Sequence, residues 1–149
     1  MNHIRKATER DLARIAEIEI FNYRLNFYPL FQNDDFYFGE LQVPELIRLY
    51  QQDDHMLQNT FVYDDGVVKG FIRVNGARIE KLFVEPALQN QGIGSALLRF
   101  AISEKDVHDL WALEKNVKAI AFYQRHGFVL TNERALEEGT TEYLIRLER

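Results

Sequence analysis

The chain has 149 residues, a formal net charge of −5 and no cysteine. This length predicts a single domain over residues 1–149, with a core large enough to be stable without cross-links. The absence of cysteine excludes disulfides and thiolate metal sites and fits a cytoplasmic location. The sequence has no apolar run of membrane-spanning length, and its negative charge argues against a nucleic-acid or membrane partner.

The N-terminal part predicts one short strand and two helices. The strand covers residues 4–7, and Thr8 with Asp11 resembles a capping box for the helix that follows. Apolar residues then recur at helical spacing over residues 12–18. The second helix is predicted at about residues 44–52, where Pro44 suits a first helical turn.

The pattern changes to strands after residue 59. Residues 60–63 and 67–74 are β-rich and are joined by Asp64-Asp65-Gly66, which is typical of a hairpin. Asn75-Gly76 forms a second turn, so residues 77–84 should complete an antiparallel meander. Pro86 ends this strand, because proline cannot donate to a β-ladder.

Helices and strands alternate in the C-terminal part. We predict helices at residues 92–103 and 117–126, with Gly127 as a left-handed cap, and strands at 110–113, 128–130 and 142–147. Strands in succession, followed by this alternation, predict an α/β fold with a mixed sheet and helices on both faces.

A glycine-rich turn lies between the meander and the next helix. It consists of Gln89, Asn90, Gln91, Gly92, Ile93, Gly94 and Ser95. Glycines let a ligand approach the backbone, and the free N–H groups at a helix start attract phosphate. The turn fits neither a Rossmann fingerprint nor a P-loop. On spacing alone, a turn that only packs helix on sheet is an equal alternative.

Two blocks of the sequence resemble the GNAT superfamily of N-acetyltransferases. The first block is Val84-Glu85-Pro86 followed by Gln89, Gly92 and Gly94, similar to the family's Gln/Arg-x-x-Gly-x-Gly/Ala motif at its coenzyme-binding helix. The second block is Asn116, then Ala119, Phe122-Tyr123 and Gly127-Phe128. Both blocks have the family's order and spacing, and the order of elements fits over nearly the whole chain.

The resemblance implies a GNAT-like fold, whose mostly antiparallel sheet is splayed at the coenzyme site, and acetyl-coenzyme A as cosubstrate. The pyrophosphate would rest on the N–H groups of residues 91–95. The pantetheine arm would pair with the backbone of Leu82, Phe83 and Val84, and Asn116 and Phe122 would lie on its other side. Unlike many members, this chain has no Arg or Lys in the turn, so the coenzyme binds less tightly or draws a cation from elsewhere.

Tyr123 and Glu80 are the candidate catalytic residues. Tyr123 stands where members of the family use a tyrosine acid to protonate the leaving thiolate, although it could also be a packing aromatic. Glu80 is a candidate base, since in a regular strand it shares a face with Leu82; a solvated or ion-paired glutamate is an equal alternative. The catalytic glutamate that some members carry on the next strand is replaced by Trp111.

Acetyl transfer also needs a donor to the oxyanion and a route for the acetyl group. A backbone N–H at Phe83 or Val84 is the natural donor to the oxygen that becomes negative. No cysteine is present, and no serine has a histidine placed beside it, so we expect the amine to attack directly without an acetyl-enzyme. The four histidines show no metal spacing, so no metal is expected.

Aromatic residues are unusually dense between Phe21 and Phe38, in the segment where the family recognises its acceptor. Together with Asp34, Asp35 and Glu40 they would suit a cationic amine with an apolar body. The alternative is that these rings form core or a dimer surface, and the sequence leaves monomer and homodimer open.

Two other functional classes remain at this point. The first is a non-catalytic acyl-coenzyme A sensor with the same fold, and the second is a nucleotide-binding protein. The presence of both Tyr123 and Asn116 favours an amine acetyltransferase over a sensor, and the failed fingerprints disfavour a nucleotide site.

Overall fold

The computed structural model describes residues 2–149 and contains one seven-stranded sheet with the strand order β1-β2-β3-β4-β5-β7-β6. The strands are β1 (Ile4–Lys6), β2 (Thr60–Asp64), β3 (Val68–Asn75), β4 (Arg78–Val84), β5 (Asp109–Leu113), β6 (Val129–Leu136) and β7 (Tyr143–Glu148). The α-helices are α1 (Leu12–Asn26), α2 (Tyr28–Phe31), α3 (Val43–Gln52), α4 (Asp54–Gln58), α5 (Ile93–Lys105) and α6 (Val117–Arg125). None of the helices within this part of the chain is long and apolar enough to cross a membrane.

The predicted mixed sheet is confirmed. Strands β1 to β4 pair antiparallel in sequence order, as do β5, β7 and β6, and only β4 and β5 run parallel. The N–H group of Thr8 donates to the carboxylate of Asp11 at 2.8 Å, as the capping box predicts. Gly127 has φ +95°, which is the left-handed conformation predicted for the end of α6.

Helices cover both faces of the sheet, because successive residues of the central strand β3 point to opposite sides. Phe71 is fully buried in a cluster with Leu12 and Ile15 of α1 and Tyr50 of α3. Its neighbour Ile72 is fully buried on the other face, against apolar residues of α5. The two-sided fold expected from the alternating elements is therefore present.

Residues 28–40 form structure that the sequence did not predict. They contain α2 and a π-helix, Asp35–Glu40. The guanidinium of Arg24, on α1, donates to the carbonyl oxygens of Tyr37 and Leu41 at 3.0 and 3.2 Å. Because these hydrogen bonds come from another helix, the spacing of residues within the segment does not predict the π-helix. π-Helices occur frequently at functional sites.

The parallel strands β4 and β5 pair at only two positions, Arg78 with Asp109 and Ile79 with Leu110. Both strands continue beyond these pairs, to Val84 and Leu113, so a gap opens between them. The register of β4 on β3 shifts at the same level, where Arg73 lies opposite Lys81 but Val74 lies opposite Ile79. This β-bulge changes the direction of β4 as it leaves β5.

Asp109 joins the strands at the closed end of the gap, where β4 and β5 are still paired. Its buried carboxylate accepts two bonds from the Arg78 guanidinium, at 2.7 and 3.1 Å, and one from Arg146 of β7 at 2.7 Å. The hydrogen bond from Arg78, and then that from Arg146, hold the pKa of Asp109 below its usual range. One carboxylate thus ties three neighbouring strands together.

We predict that Asp109→Asn lowers the free energy of unfolding at pH 7 by about 1–3 kcal/mol, since it leaves a buried charge-assisted network incomplete. A carboxyl with a depressed folded pKa stabilises above its unfolded value, near 3.9, and loses this stabilisation as the pH falls through the folded value. The difference between variant and wild type should therefore shrink below about pH 4. Urea unfolding across this range measures it, with the exposed Asp106→Asn as control; an unchanged difference at all pH values would contradict the assignment.

Candidate active site

Two cavities open on the gap between β4 and β5. The larger has a volume of about 680 Å³ and the smaller about 430 Å³. Both are lined by the same five residues of β4 and of α6 with its N-cap, namely Leu82, Phe83, Asn116, Ala119 and Tyr123. The two cavities therefore meet where the strands separate, and a molecule in one could contact a molecule in the other.

The smaller cavity collects the residues that the sequence assigned to a coenzyme. Its lining includes Leu82, Phe83, Val84, Gln89, Asn90, Gly92, Ile93, Gly94, Ser95, Asn116, Phe122 and Tyr123. Gln91 is absent from this lining. The sequence missed Asn22, Asn26, Ala119, Lys118 and Arg125, which also line it. Only the spacing of Lys118, Phe122 and Arg125 along one helix could have indicated the last two.

The glycine-rich turn presents bare backbone to the smaller cavity. Gly92 precedes α5 with φ +85°, a conformation that other residues adopt only with strain. A Cβ atom on Gly92 would meet nothing within 4 Å, so this side of the turn is open. A Cβ atom on Gly94 would lie 3.6 Å from Phe122 and Val84. Open glycine backbone at the start of a long helix fits a phosphate group.

The side chain of Gln89 forms hydrogen bonds within the protein. Its Nε2 donates to Asn22 Oδ1 at 3.1 Å and to the carbonyl oxygen of Val84 at 3.3 Å. Asn22 is buried in α1 and donates to the same carbonyl at 2.9 Å. These bonds fix the turn against α1 and β4, so Gln89 shapes the cavity through its side chain.

Tyr123 stands at the junction of the two cavities. Burial raises the pKa of its hydroxyl above the usual value for tyrosine, so the proton stays on the oxygen at neutral pH. The ring packs edge-on against Phe122 and Phe128, with centroids 5.2 and 5.8 Å away. Within residues 2–149 no hydrogen bond of the hydroxyl is found. The residue thus has a packed ring and a protonated oxygen.

Asn116 starts the helix that carries Tyr123. Its side-chain oxygen accepts the N–H of Ala119 at 3.3 Å, which caps α6. The cap directs the first turn of α6 toward the gap, since Asn116 and Ala119 both line the two cavities.

Glu80 lies in the β-bulge and lines the larger cavity. The expectation that it shares a face with Leu82 assumed a regular strand, and the bulge interrupts that alternation. Its carboxylate lies 3.5 Å from Nε of Arg73, and its side chain is 36% exposed. Glu80 is therefore an ion-paired glutamate that also reaches the cavity.

The larger cavity is lined by aromatic and acidic side chains. Besides Phe83 and Tyr123, which it shares with the smaller cavity, the aromatic residues are Tyr23, Phe27, Phe31, Phe36, Tyr37 and Trp111. The charged residues are Glu80, Glu137, Glu138, Glu142 and Lys81. The predicted aromatic segment does line a cavity, but the carboxylates come from β4 and the β6–β7 turn. Asp34, Asp35 and Glu40 lie outside this lining, and Asp34 accepts the hydroxyl of Tyr28 at 2.5 Å.

Among residues 2–149, Lys81 is the one cation in this lining, and its ammonium group is bonded to α1. Its Nζ donates to the hydroxyl of Tyr23 on α1. Desolvation lowers the pKa of Lys81, and the nearby carboxylate of Glu19 opposes this effect. Burial raises the pKa of Glu19 in turn, although Lys81 and Arg73 oppose it. Burial thus shifts the pKa of each partner toward its uncharged form.

Known proteins resemble both the sequence and the fold. A family model described as an acetyltransferase (GNAT) domain matches residues 57–130. The peptidyl-lysine N-acetyltransferase YjaB of Salmonella typhimurium is 29% identical over 77 residues, which cover 52% of this chain and 53% of that protein. The chain spans about half the length of the curated relatives it matches.

Solved structures share the whole architecture. The solution structure of apo-form YjaB from Escherichia coli has a TM-score of 0.70 and 22% identity, over 97% of this chain and 95% of that one. The structure of yncA, a putative acetyltransferase from Salmonella typhimurium with its cofactor acetyl-CoA, has a TM-score of 0.67 and 22% identity, over 98% and 91%. At these identities the likeness shows the fold.

Proposed function

Because the chain belongs to the GNAT superfamily of N-acetyltransferases, we propose that it transfers an acetyl group from acetyl-coenzyme A directly to a primary amine. The acceptor is a small molecule, or a lysine or N-terminus of a protein. One observation carries this proposal: a cavity with an open phosphate-type turn and a cavity with acidic walls meet at Tyr123, in the gap between β4 and β5.

The coenzyme belongs in the smaller cavity, where the residues present suit it. The N–H groups of residues 91–95 would receive the pyrophosphate at the start of α5. The pantetheine arm would lie along β4, whose outer edge has no strand partner beyond Ile79. Bound there, acetyl-coenzyme A supplies the activated acetyl group, and the chain supplies its position.

Val84 is the better placed of the two proposed oxyanion donors. The N–H of Glu85 donates to the carbonyl of Lys69 at 2.9 Å, toward β3. Peptide groups alternate in direction along a strand, so the N–H of Phe83 also points toward β3 and that of Val84 points into the gap. A fixed N–H in the gap can stabilise the negative charge that develops on the carbonyl oxygen during acyl transfer.

Tyr123 is proposed as the acid and Glu80 as the base. The phenol of Tyr123 keeps its proton at neutral pH and can give it to a thiolate, whose conjugate thiol has a pKa of about 8.5. Glu80 reaches the cavity in which the amine would arrive. The other glutamates of that cavity favour an acceptor that enters as a cation.

A lysine side chain suits the larger cavity. Its stem would pack on the aromatic wall, and its ammonium would be drawn by the carboxylates. Relatives named peptidyl-lysine N-acetyltransferases support this acceptor class. With no cysteine in the chain, we propose that both substrates are bound before transfer.

Release of free thiol from acetyl-coenzyme A tests the function. We expect release with peptides that carry a free lysine or a free N-terminus, or with a small diamine, and none with the same peptides acetylated in advance. A protein that binds the coenzyme but releases no thiol with any amine would favour the alternative, a non-catalytic acyl-coenzyme A sensor.

Tyr123→Phe should lower kcat by about 10²–10⁴-fold and leave coenzyme affinity nearly unchanged, because it keeps the ring and removes the proton. Tyr63→Phe, at a tyrosine that lines neither cavity, serves as control. Steady-state kinetics and calorimetry measure the two effects. A kcat within twofold of wild type, under conditions where chemistry limits the rate, would assign the proton to another donor.

Glu80→Gln should reduce activity most at neutral pH and recover as the pH rises. A lysine amine with a pKa of about 10.4 is neutral in roughly 1 molecule of 2,500 at pH 7, so a base matters most there. The pH profile of kcat/KM measures this. Glu137→Gln, also in the cavity wall, should raise KM without this pH dependence. An equal loss for Glu80→Gln at every pH would indicate a structural role.

A further inference from the structure

The glycine-rich turn offers no formal charge to an anionic ligand. Residues 89–95 are all neutral, and the side chain of Gln89 already bonds to Asn22 and Val84. A coenzyme A molecule carries a pyrophosphate and a 3′-phosphate, and a phosphate monoester alone has a charge of about −1.5 to −2 at pH 7. Backbone N–H groups and a helix dipole balance only part of this charge.

The opposite wall of the smaller cavity carries the cations. Among residues 2–149, the charged residues that line this cavity are Lys118 and Arg125, both on α6, and no carboxylate lines it. The adjoining larger cavity has four glutamates and one lysine in its lining. The two cavities therefore have opposite charge, with the positive one beside the turn.

Lys118 and Arg125 share one face of α6 with Phe122, which lies between them at spacings of four and three residues. The ring of Phe122 faces the turn, since a Cβ atom on Gly94 would lie 3.6 Å from it. The guanidinium carbon of Arg125 lies 6.0 Å from the centre of that ring. This face of α6 therefore lies across the cavity from the start of α5.

Neither cation is engaged elsewhere in the described chain. Most other Arg and Lys side chains pair with a carboxylate or donate to a carbonyl, for example Arg78, Arg134 and Arg146. Within residues 2–149, Lys118 and Arg125 make no ion pair and no side-chain hydrogen bond. Both side chains are exposed and available to a ligand.

We infer that Lys118 and Arg125 of α6 supply the positive charge for the coenzyme phosphates that the neutral turn lacks. This inference rests on the proposed function, and it divides phosphate binding between two helices. The turn and α5 give backbone N–H groups, and α6 gives the cations. The site closes around the phosphates from both sides, with Phe122 between the cations.

Calorimetric titration with coenzyme A and with dephospho-coenzyme A, which lacks the 3′-phosphate, tests the inference. Lys118→Met and Arg125→Met should each weaken coenzyme A binding by roughly three- to tenfold, and the double variant by more. The salt dependence of Kd should also become smaller in the double variant. Arg99→Met, at an exposed cation of α5 outside the cavity lining, is the matched control for net charge.

The two ligands separate the phosphates. A variant that weakens coenzyme A but leaves dephospho-coenzyme A unchanged assigns its cation to the 3′-phosphate, and an equal loss for both assigns it to the pyrophosphate. A double variant that binds coenzyme A within twofold of the Arg99→Met control overturns the inference. Gly94→Glu should abolish binding in either case; a wild-type protein that binds neither ligand would remove the proposed function itself.

Discussion

The separation of β4 from β5 is the constraint on which the rest of the site depends. The strands pair at Arg78 and Ile79 only, and the β-bulge at Glu80 follows the last pair directly. The network around Asp109 holds the closed end, while the bulge turns β4 away at the open end. Unpaired peptide groups inside a sheet are costly unless a ligand or water bonds to them. The gap is therefore ready for a ligand that pairs with an extended backbone.

The two cavities beside the gap are lined by different elements of the fold. The smaller cavity is lined by α5 and α6, which pack in the same core cluster on one face of the sheet, and by Asn22 and Asn26 of α1. The larger cavity is bordered by the aromatic segment after α1 and by the β6–β7 turn. Tyr123, in the second turn of α6, lines both cavities. A single buried phenol can thus serve a reaction between molecules held on two sides.

The two cavities also differ in the charge of the residues that line them. Among residues 2–149, the smaller cavity has cations and no carboxylates in its lining, whereas the larger cavity has glutamates and a single lysine. That lysine, Lys81, is drawn toward its neutral form by desolvation. A polyanionic donor and a cationic acceptor would therefore each be directed to its own cavity by the fixed charges. The aromatic wall would add apolar contact for the body of such an acceptor.

The sequence by itself determined the order of the strands and of the longer helices, the meander, the glycine-rich turn and the place of Tyr123 on the last helix. These features rest on local physics: periodicity, turn chemistry and the backbone freedom of Gly92 are properties of neighbouring residues. Two sequence blocks with the spacing of a known family added the prediction of a coenzyme. The inward bonding of Gln89 has no such local source, and helical spacing places Lys118 and Arg125 on one face of α6 without showing what that face opposes.

Only the tertiary structure decided the remaining features. The bulge that places Glu80 depends on the register between β3 and β4, and the π-helix depends on Arg24 of another helix. Three of the four glutamates that line the larger cavity come from the β6–β7 turn, more than 90 residues after the aromatic segment that lines the same cavity. Contacts between distant segments are set by how the sheet twists and packs, and no short window of sequence contains that information.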